Sequence, residues 1–200
     1  MILEEGFFHA DPHPGNVFVM PDGKVALIDF GQVKRIGYKF RRELAELIIN
    51  ITELEETDEE LRRLSKLGDK MGLKFAEDAH EFCPAALGLY VLDWSREELP
   101  GGYSAYELSP RNVMGDVTYF PPEWVLTCRA LQLLRGLAAR LGIDWNLPEA
   151  WRESALRALG RDADKSHVAA VPKAKGLWPR VRGMFQKKRG AAVRSMRSGR

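Results

Sequence analysis

"HADPHPGN" (residues 9–16) runs directly into "VFVMPDGKVALIDFG" (residues 17–31), and the fold is decided by what these two stretches do together. Pro-Asp-Gly is turn chemistry: proline presets φ, aspartate tolerates a tight backbone and glycine supplies positive φ. The flanking runs "VFVM" and "KVALIDF" are β-rich, so residues 17–29 are expected to form a β-hairpin. The loop before it holds Asp11 and Asn16, five residues apart, and Asp29 follows Asn16 by thirteen. A hairpin that folds back brings Asn16 and Asp29 onto one metal. Phosphoryl transfer from a nucleotide needs this set of parts. One carboxylate orients or deprotonates the attacking hydroxyl, and an amide oxygen with a second carboxylate holds Mg²⁺ against the phosphates. Gly31 is expected to permit the backbone turn that aims Asp29 inward.

The histidines of the loop have a plainer explanation. His9 and His13 are four apart, but Pro12 and Pro14 exclude an ordinary helix there, so the helical metal pair is unavailable. His9 is expected to be a hydrogen-bonding support beneath the loop. His13 fits a phosphate-proximal residue and a simple loop residue equally well.

The remainder of the chain is helical in pattern. "YKFRRELAELIINITEL" places Phe40, Leu44, Leu47, Ile48 and Ile51 at helical spacing. "TDEELRRLSKLG" opens with a Thr57/Glu60 capping box and is expected to close at Gly68. Phe75 to about Asp93 is a third helical region, with Pro84 expected to split it in two. Residues 95–121, rich in Gly, Pro, Ser and Tyr, suggest a long surface loop. "PPEWVLTCRALQLLRGLAARLG" starts at Pro122 and has Gly142 just past its end. Its apolar stripe is Trp124, Cys128, Leu131, Leu134, Ala138 and Leu141. "PEAWRESALRALG" is the last helix.

Composition sets outer bounds. Two hundred residues, 45% apolar and 29% charged, suit one domain plus a tail. Cys83 and Cys128 make no disulfide framework and are expected to be buried thiols in a reducing compartment. From Lys165 to Arg200 there are eleven Lys/Arg and no acid, so residues 1–164 carry 19 basic against 28 acidic residues. No apolar run reaches the roughly 18 residues of a membrane span. "MILEEGFF" has acids where a signal or transit peptide has bases.

"FFHADPHPGNVFV" with "VALIDFGQV" closely resembles the UbiB/ADCK family of atypical kinases, and "CRALQLLRGLAARLG" is similar to a later C-lobe helix of that family. The resemblance covers about residues 3–145. It implies a catalytic-loop role for Asp11, a metal-binding role for Asn16 in the loop and for Asp29 in the DFG motif, and the use of ATP and Mg²⁺. It also implies kinase or ATPase activity linked to ubiquinone and other prenyl lipids. Placement would be in mitochondria, plastids or bacterial membranes. The chain departs from ordinary protein kinases in having Ala10 where their motif has arginine, so phosphate-gated activation is not expected. About six residues separate Gly31 from the next helix, with no APE motif, so a small or lipid substrate, or plain ATP hydrolysis, fits better than a protein substrate.

The expected fold is therefore mainly α with a small β-hairpin: a kinase-like C-terminal lobe over residues 1–160, then a basic, flexible tail over 161–200. Eight residues ahead of the motif hold no N-lobe, and no later Gly-rich loop or V-A-I-K-like strand lysine occurs. The N-lobe is thus expected to be missing from this chain, a C-lobe fragment with weak nucleotide binding and little turnover. A second enzyme class, the aminoglycoside/choline kinase type, shares "H-x-D-x-H-P-x-N". A non-catalytic truncated pseudokinase or membrane-associated scaffold is the non-enzyme alternative. In the tail, residues 173–190 combine Leu177, Trp178, Val181, Met184 and Phe185 with basic residues. They fit an interfacial helix on anionic lipid or a solvated basic tail. Nucleic-acid binding is not expected, since one basic tail lacks a reading module.

Overall fold

Two nested β ribbons form the N-terminal end of the computed structural model, which describes residues 1–143 and 145–160. The inner ribbon is the expected hairpin: β2 (Val17–Val19) pairs antiparallel with β3 (Val25–Leu27), Phe18 facing Ala26. It is shorter than residues 17–29, because Ile28 and Asp29 have already left the ladder. The outer ribbon pairs β1 (Phe7–His9) with β4 (Val33–Arg35), Phe8 facing Lys34. This closure lays the two connecting loops, 10–16 and 28–32, side by side.

Helix α1 (Tyr38–Thr52) buries Phe40, Leu44, Leu47, Ile48 and Ile51, as its periodicity predicts. Helix α2 (Asp58–Lys70) opens with the Thr57/Glu60 capping box. Thr57 Oγ1 accepts the Glu60 N–H, and Glu60 Oε2 accepts the Thr57 N–H, each at 3.4 Å. Gly68 does not close this helix. It is buried two residues before the end, and a Cβ there would lie 2.9 Å from Pro84 Cβ. Its role is to let α2 approach helix α3 (Cys83–Leu92) closely. Gly68→Ala is expected to lower stability by about 1–3 kcal/mol through overpacking, although alanine is the better helix former. Urea denaturation checks this, and an unchanged or raised midpoint contradicts the close approach.

The region 75–93 holds one helix, α3, rather than two, and residues 76–82 before it are not helical. Phe75 belongs to strand β5 (Lys74–Phe75), paired with β8 (Val117–Tyr119). Pro84 stands in the first turn of α3, where its missing N–H costs no helical bond. All ten residues of α3 are buried, as suits an apolar helix at the centre of a core. The expected loop 95–121 is also structured. Strands β6 (Glu98–Leu99) and β7 (Tyr103–Ser104) pair, and 3₁₀ turns occupy Pro100–Gly102 and Val113–Asp116. The Tyr103 hydroxyl donates to Asp116 and accepts from the His80 N–H, fastening this segment to the start of α3.

Helix α4 (Pro122–Leu141) ends at Gly142 in the left-handed region, φ 64°. Its stripe is rotated from expectation: Trp124, Thr127, Ala130 and Leu131 are buried, whereas Cys128, Leu134, Ala138 and Leu141 are half-buried. Thr127 enters the core because its hydroxyl donates to Glu123 O at 2.8 Å. Helix α5 (Leu147–Ala158) is capped by Asn146 and packs chiefly on α1. The hydrophobic core runs unbroken from Leu3 to Leu156. The described residues are thus rich in helix, with four small antiparallel ribbons rather than a single hairpin.

Both cysteines are free, Cys83 buried and Cys128 half-buried. Burial pushes the Cys83 thiol up and the Cys128 thiol up to about 12. Raised values leave little thiolate at pH 8, so both should resist a disulfide reagent when folded and react when denatured. Fast labelling of the folded chain contradicts this. Among the described residues no helix is long and apolar enough to cross a membrane. The tail 161–200, with the interfacial segment expected at 173–190, lies outside the described residues.

Candidate active site

The loops at the base of the two ribbons are stapled to each other. Ala10 N–H donates to Gln32 O at 2.9 Å, and Ile28 N–H donates to Asn16 O at 3.0 Å. His9, only 4% exposed, lies beneath both. Its Nε2 donates to Ile28 O at 2.9 Å, and its Nδ1 accepts the Asp11 N–H at 3.2 Å. These partners select the neutral Nε2–H tautomer, and His9 is the structural support that the loop pattern predicts. Phe30 packs edge-on against its ring at 5.5 Å.

Asn16 is buried, and its Nδ2 donates to the Asp11 carbonyl at 3.1 Å. That bond leaves Oδ1 as the remaining amide donor atom for a cation. His13 closes the turn: Nδ1 accepts the Gly15 N–H at 2.9 Å, and a Cβ on Gly15 would stand 2.7 Å from the imidazole. Its Nε2 is 3.9 Å from Asp11 Oδ2. The Asp11 carboxylate, with a side chain 16% exposed, meets a group that its local sequence does not announce. Arg129 Nη2, from α4, lies 3.2 Å from Asp11 Oδ1.

Asp29 corrects the expectation for Gly31. The left-handed residue is Asp29 itself, at φ 59°, while Gly31 does not have positive φ. Gly31 contributes its N–H, which donates to Asp29 Oδ1 at 3.2 Å. Short polar side chains tolerate this backbone better than others, but a non-glycine residue there is uncommon, and such residues cluster at functional sites. Asp11 and Asn16 thus share one loop, and Asp29 stands on the loop stapled to it. No direct hydrogen bond joins Asp29 to either among the described residues.

The donor set suits a particular kind of cation. Among the described residues no group of three or more His, Cys, Asp or Glu side chains converges, so there is no dedicated protein cage. One amide oxygen and one carboxylate are hard ligands that match Mg²⁺, which keeps waters and shares substrate phosphates. Below the loop is an apolar cavity of about 450 Å³ lined by Leu3, Phe8, Pro12, Leu27, Leu134 and Trp151.

The Arabidopsis thaliana protein named ACTIVITY OF BC1 COMPLEX KINASE 3, chloroplastic, is 34% identical over 145 residues, 68% of this chain and 19% of its own length. ACTIVITY OF BC1 COMPLEX KINASE 1, chloroplastic, from the same plant is 37% identical over 67 residues, 34% of this chain and 10% of its own. An uncharacterized protein of Synechocystis is 51% identical over 51 residues, 26% of this chain and 12% of its own. The chain spans between 12% and 26% of the length of the first four relatives. No solved structure matches the chain. The ABC1 atypical kinase-like domain matches residues 1–60, which include Asp11, Asn16 and Asp29. Over residues 1–60 the chain belongs to the ABC1 atypical kinase-like family.

Proposed function

We propose that the Asp11 loop and the Asp29 turn form the catalytic floor of an ABC1/UbiB-type atypical kinase that uses ATP and Mg²⁺. The observation that carries this is the left-handed backbone of Asp29, held one residue beyond the Ile28–Asn16 staple. A carboxylate one residue from the hydrogen bond between Ile28 and Asn16 supports a shared site with Asn16 and Asp11. In this reading Asp11 takes the proton of the acceptor hydroxyl. The acceptor oxygen bonds to the terminal phosphorus, and the bond to the bridging oxygen breaks with its electron pair leaving on ADP. Asn16 Oδ1 and the Asp29 carboxylate would hold Mg²⁺, which supplies charge neutralisation to the phosphates when bound.

The short connection from Gly31 to α1 supports a small or lipid acceptor, or water, over a protein. The link to ubiquinone and prenyl-lipid metabolism follows from family resemblance, and relatives named chloroplastic support placement in a plastid. Residues 173–190 are proposed to meet an anionic membrane surface. The 200 residues supply a floor, and an N-lobe would supply the remaining nucleotide contacts. Equilibrium dialysis of ATP against the full chain tests the reading. Weak binding that requires Mg²⁺ is expected. Binding that is equal with a chelator, or none at all, favours the scaffold alternative.

A further inference from the structure

We propose that Arg129 is a phosphoryl-contacting residue, held in reserve by its ion pair with Asp11. The proposal rests on the phosphoryl-transfer reading above. Residues 9–33 contain a single Lys or Arg, Lys24, which pairs with Asp22 at the hairpin tip, 2.9 Å away. Neither loop of the floor carries a cation of its own. The cation that the fold delivers to the Asp11 carboxylate is Arg129, 118 residues away in sequence.

Its placement is firm and its head is loose. Thr127, Ala130 and Leu131, beside it on α4, are buried and anchor the helix. The Arg129 side chain is 49% exposed. One nitrogen engages one carboxylate oxygen, whereas a guanidinium offers five donors in a planar fork. Among the described residues the other carboxylate oxygen has only His13 Nε2 at 3.9 Å, beyond hydrogen-bond reach. A half-exposed single-point pair of this kind is weak and exchanges readily. A terminal phosphoryl group offers three oxygens and more negative charge, so it is the better partner for the fork. As the acceptor hydroxyl arrives at Asp11, the guanidinium moves from the carboxylate to the phosphoryl oxygens. Arg129 transfers no proton; it frees Asp11 and neutralises the moving group.

The test compares nucleotides with and without that group. The full chain and its Arg129→Gln and Arg129→Lys variants are titrated with MgATP and with MgADP, following the Gly15, Asn16 and Asp29 amides by NMR. Arg129→Gln is expected to weaken MgATP by about tenfold and leave MgADP unchanged, with Arg129→Lys recovering part of the loss. Equal weakening of both nucleotides with a lowered melting temperature makes Arg129 a loop tether and overturns the proposal. So does an unchanged ATP-to-ADP ratio. A parent chain whose floor amides ignore MgATP overturns the phosphoryl-transfer reading itself, and the proposal with it.

Discussion

Replacing Asp29 by asparagine should abolish Mg²⁺-dependent nucleotide binding while leaving the fold within about 0.5 kcal/mol of the parent. Asparagine tolerates the left-handed backbone as aspartate does. Its Oδ1 can still accept the Gly31 N–H that Asp29 now accepts at 3.2 Å. Only the charge is removed. Of the two proposed metal-holding residues, Asp29 is the carboxylate and Asn16 is neutral, so the charge is what a hard cation loses. Asp29→Val separates the two contributions. A β-branched residue at φ 59° is strained, and the variant should lose about 1–3 kcal/mol in addition to binding. Thermal unfolding and dialysis with and without Mg²⁺ measure both. Mg²⁺-dependent binding that survives in Asp29→Asn removes Asp29 from the metal.

His9→Ala should cost about 2–4 kcal/mol, the largest stability loss of any single change near the floor. Its ring is buried and uses both nitrogens, so its removal leaves the Ile28 carbonyl and the Asp11 N–H without partners. It also opens a void under Phe30. The two loops lose their side-chain staple, so the Asp11 and Asp29 amides should shift together in the NMR spectrum. A loss below about 1 kcal/mol, within the range of an ordinary surface substitution, contradicts the keystone role of His9.

What the sequence revealed was local, and what it concealed was not. The hairpin, the α1 periodicity, the Thr57/Glu60 box and the Gly142 stop each depend on residues within one or two turns. Motif spacing singles out Asp11, Asn16 and Asp29 in the sequence, and the structure adds that the loop of Asp11 and Asn16 is hydrogen-bonded to the loop of Asp29. The outer ribbon was not legible, since three-residue strands with a partner 26 residues on, His9 facing Val33 at 24, show no period. Gly68 resembled a helix stop because its neighbour across the core, Pro84, is invisible to a local pattern. Arg129 lay unremarked in an amphipathic helix because its partner is distant in sequence. General propensity gives the turn here to Gly31, whereas Asp29 itself takes the left-handed backbone and accepts the Gly31 N–H.

Mn²⁺ with ATP, used as a paramagnetic probe of the full chain, tests most directly whether Asp11, Asn16 and Asp29 form one floor for a nucleotide-bound cation. Broadening confined to the amides of residues 11–16 and 28–31, and lost in Asp29→Asn, is the predicted result. Broadening that is spread over acidic surface residues, or that persists unchanged in Asp29→Asn, contradicts it.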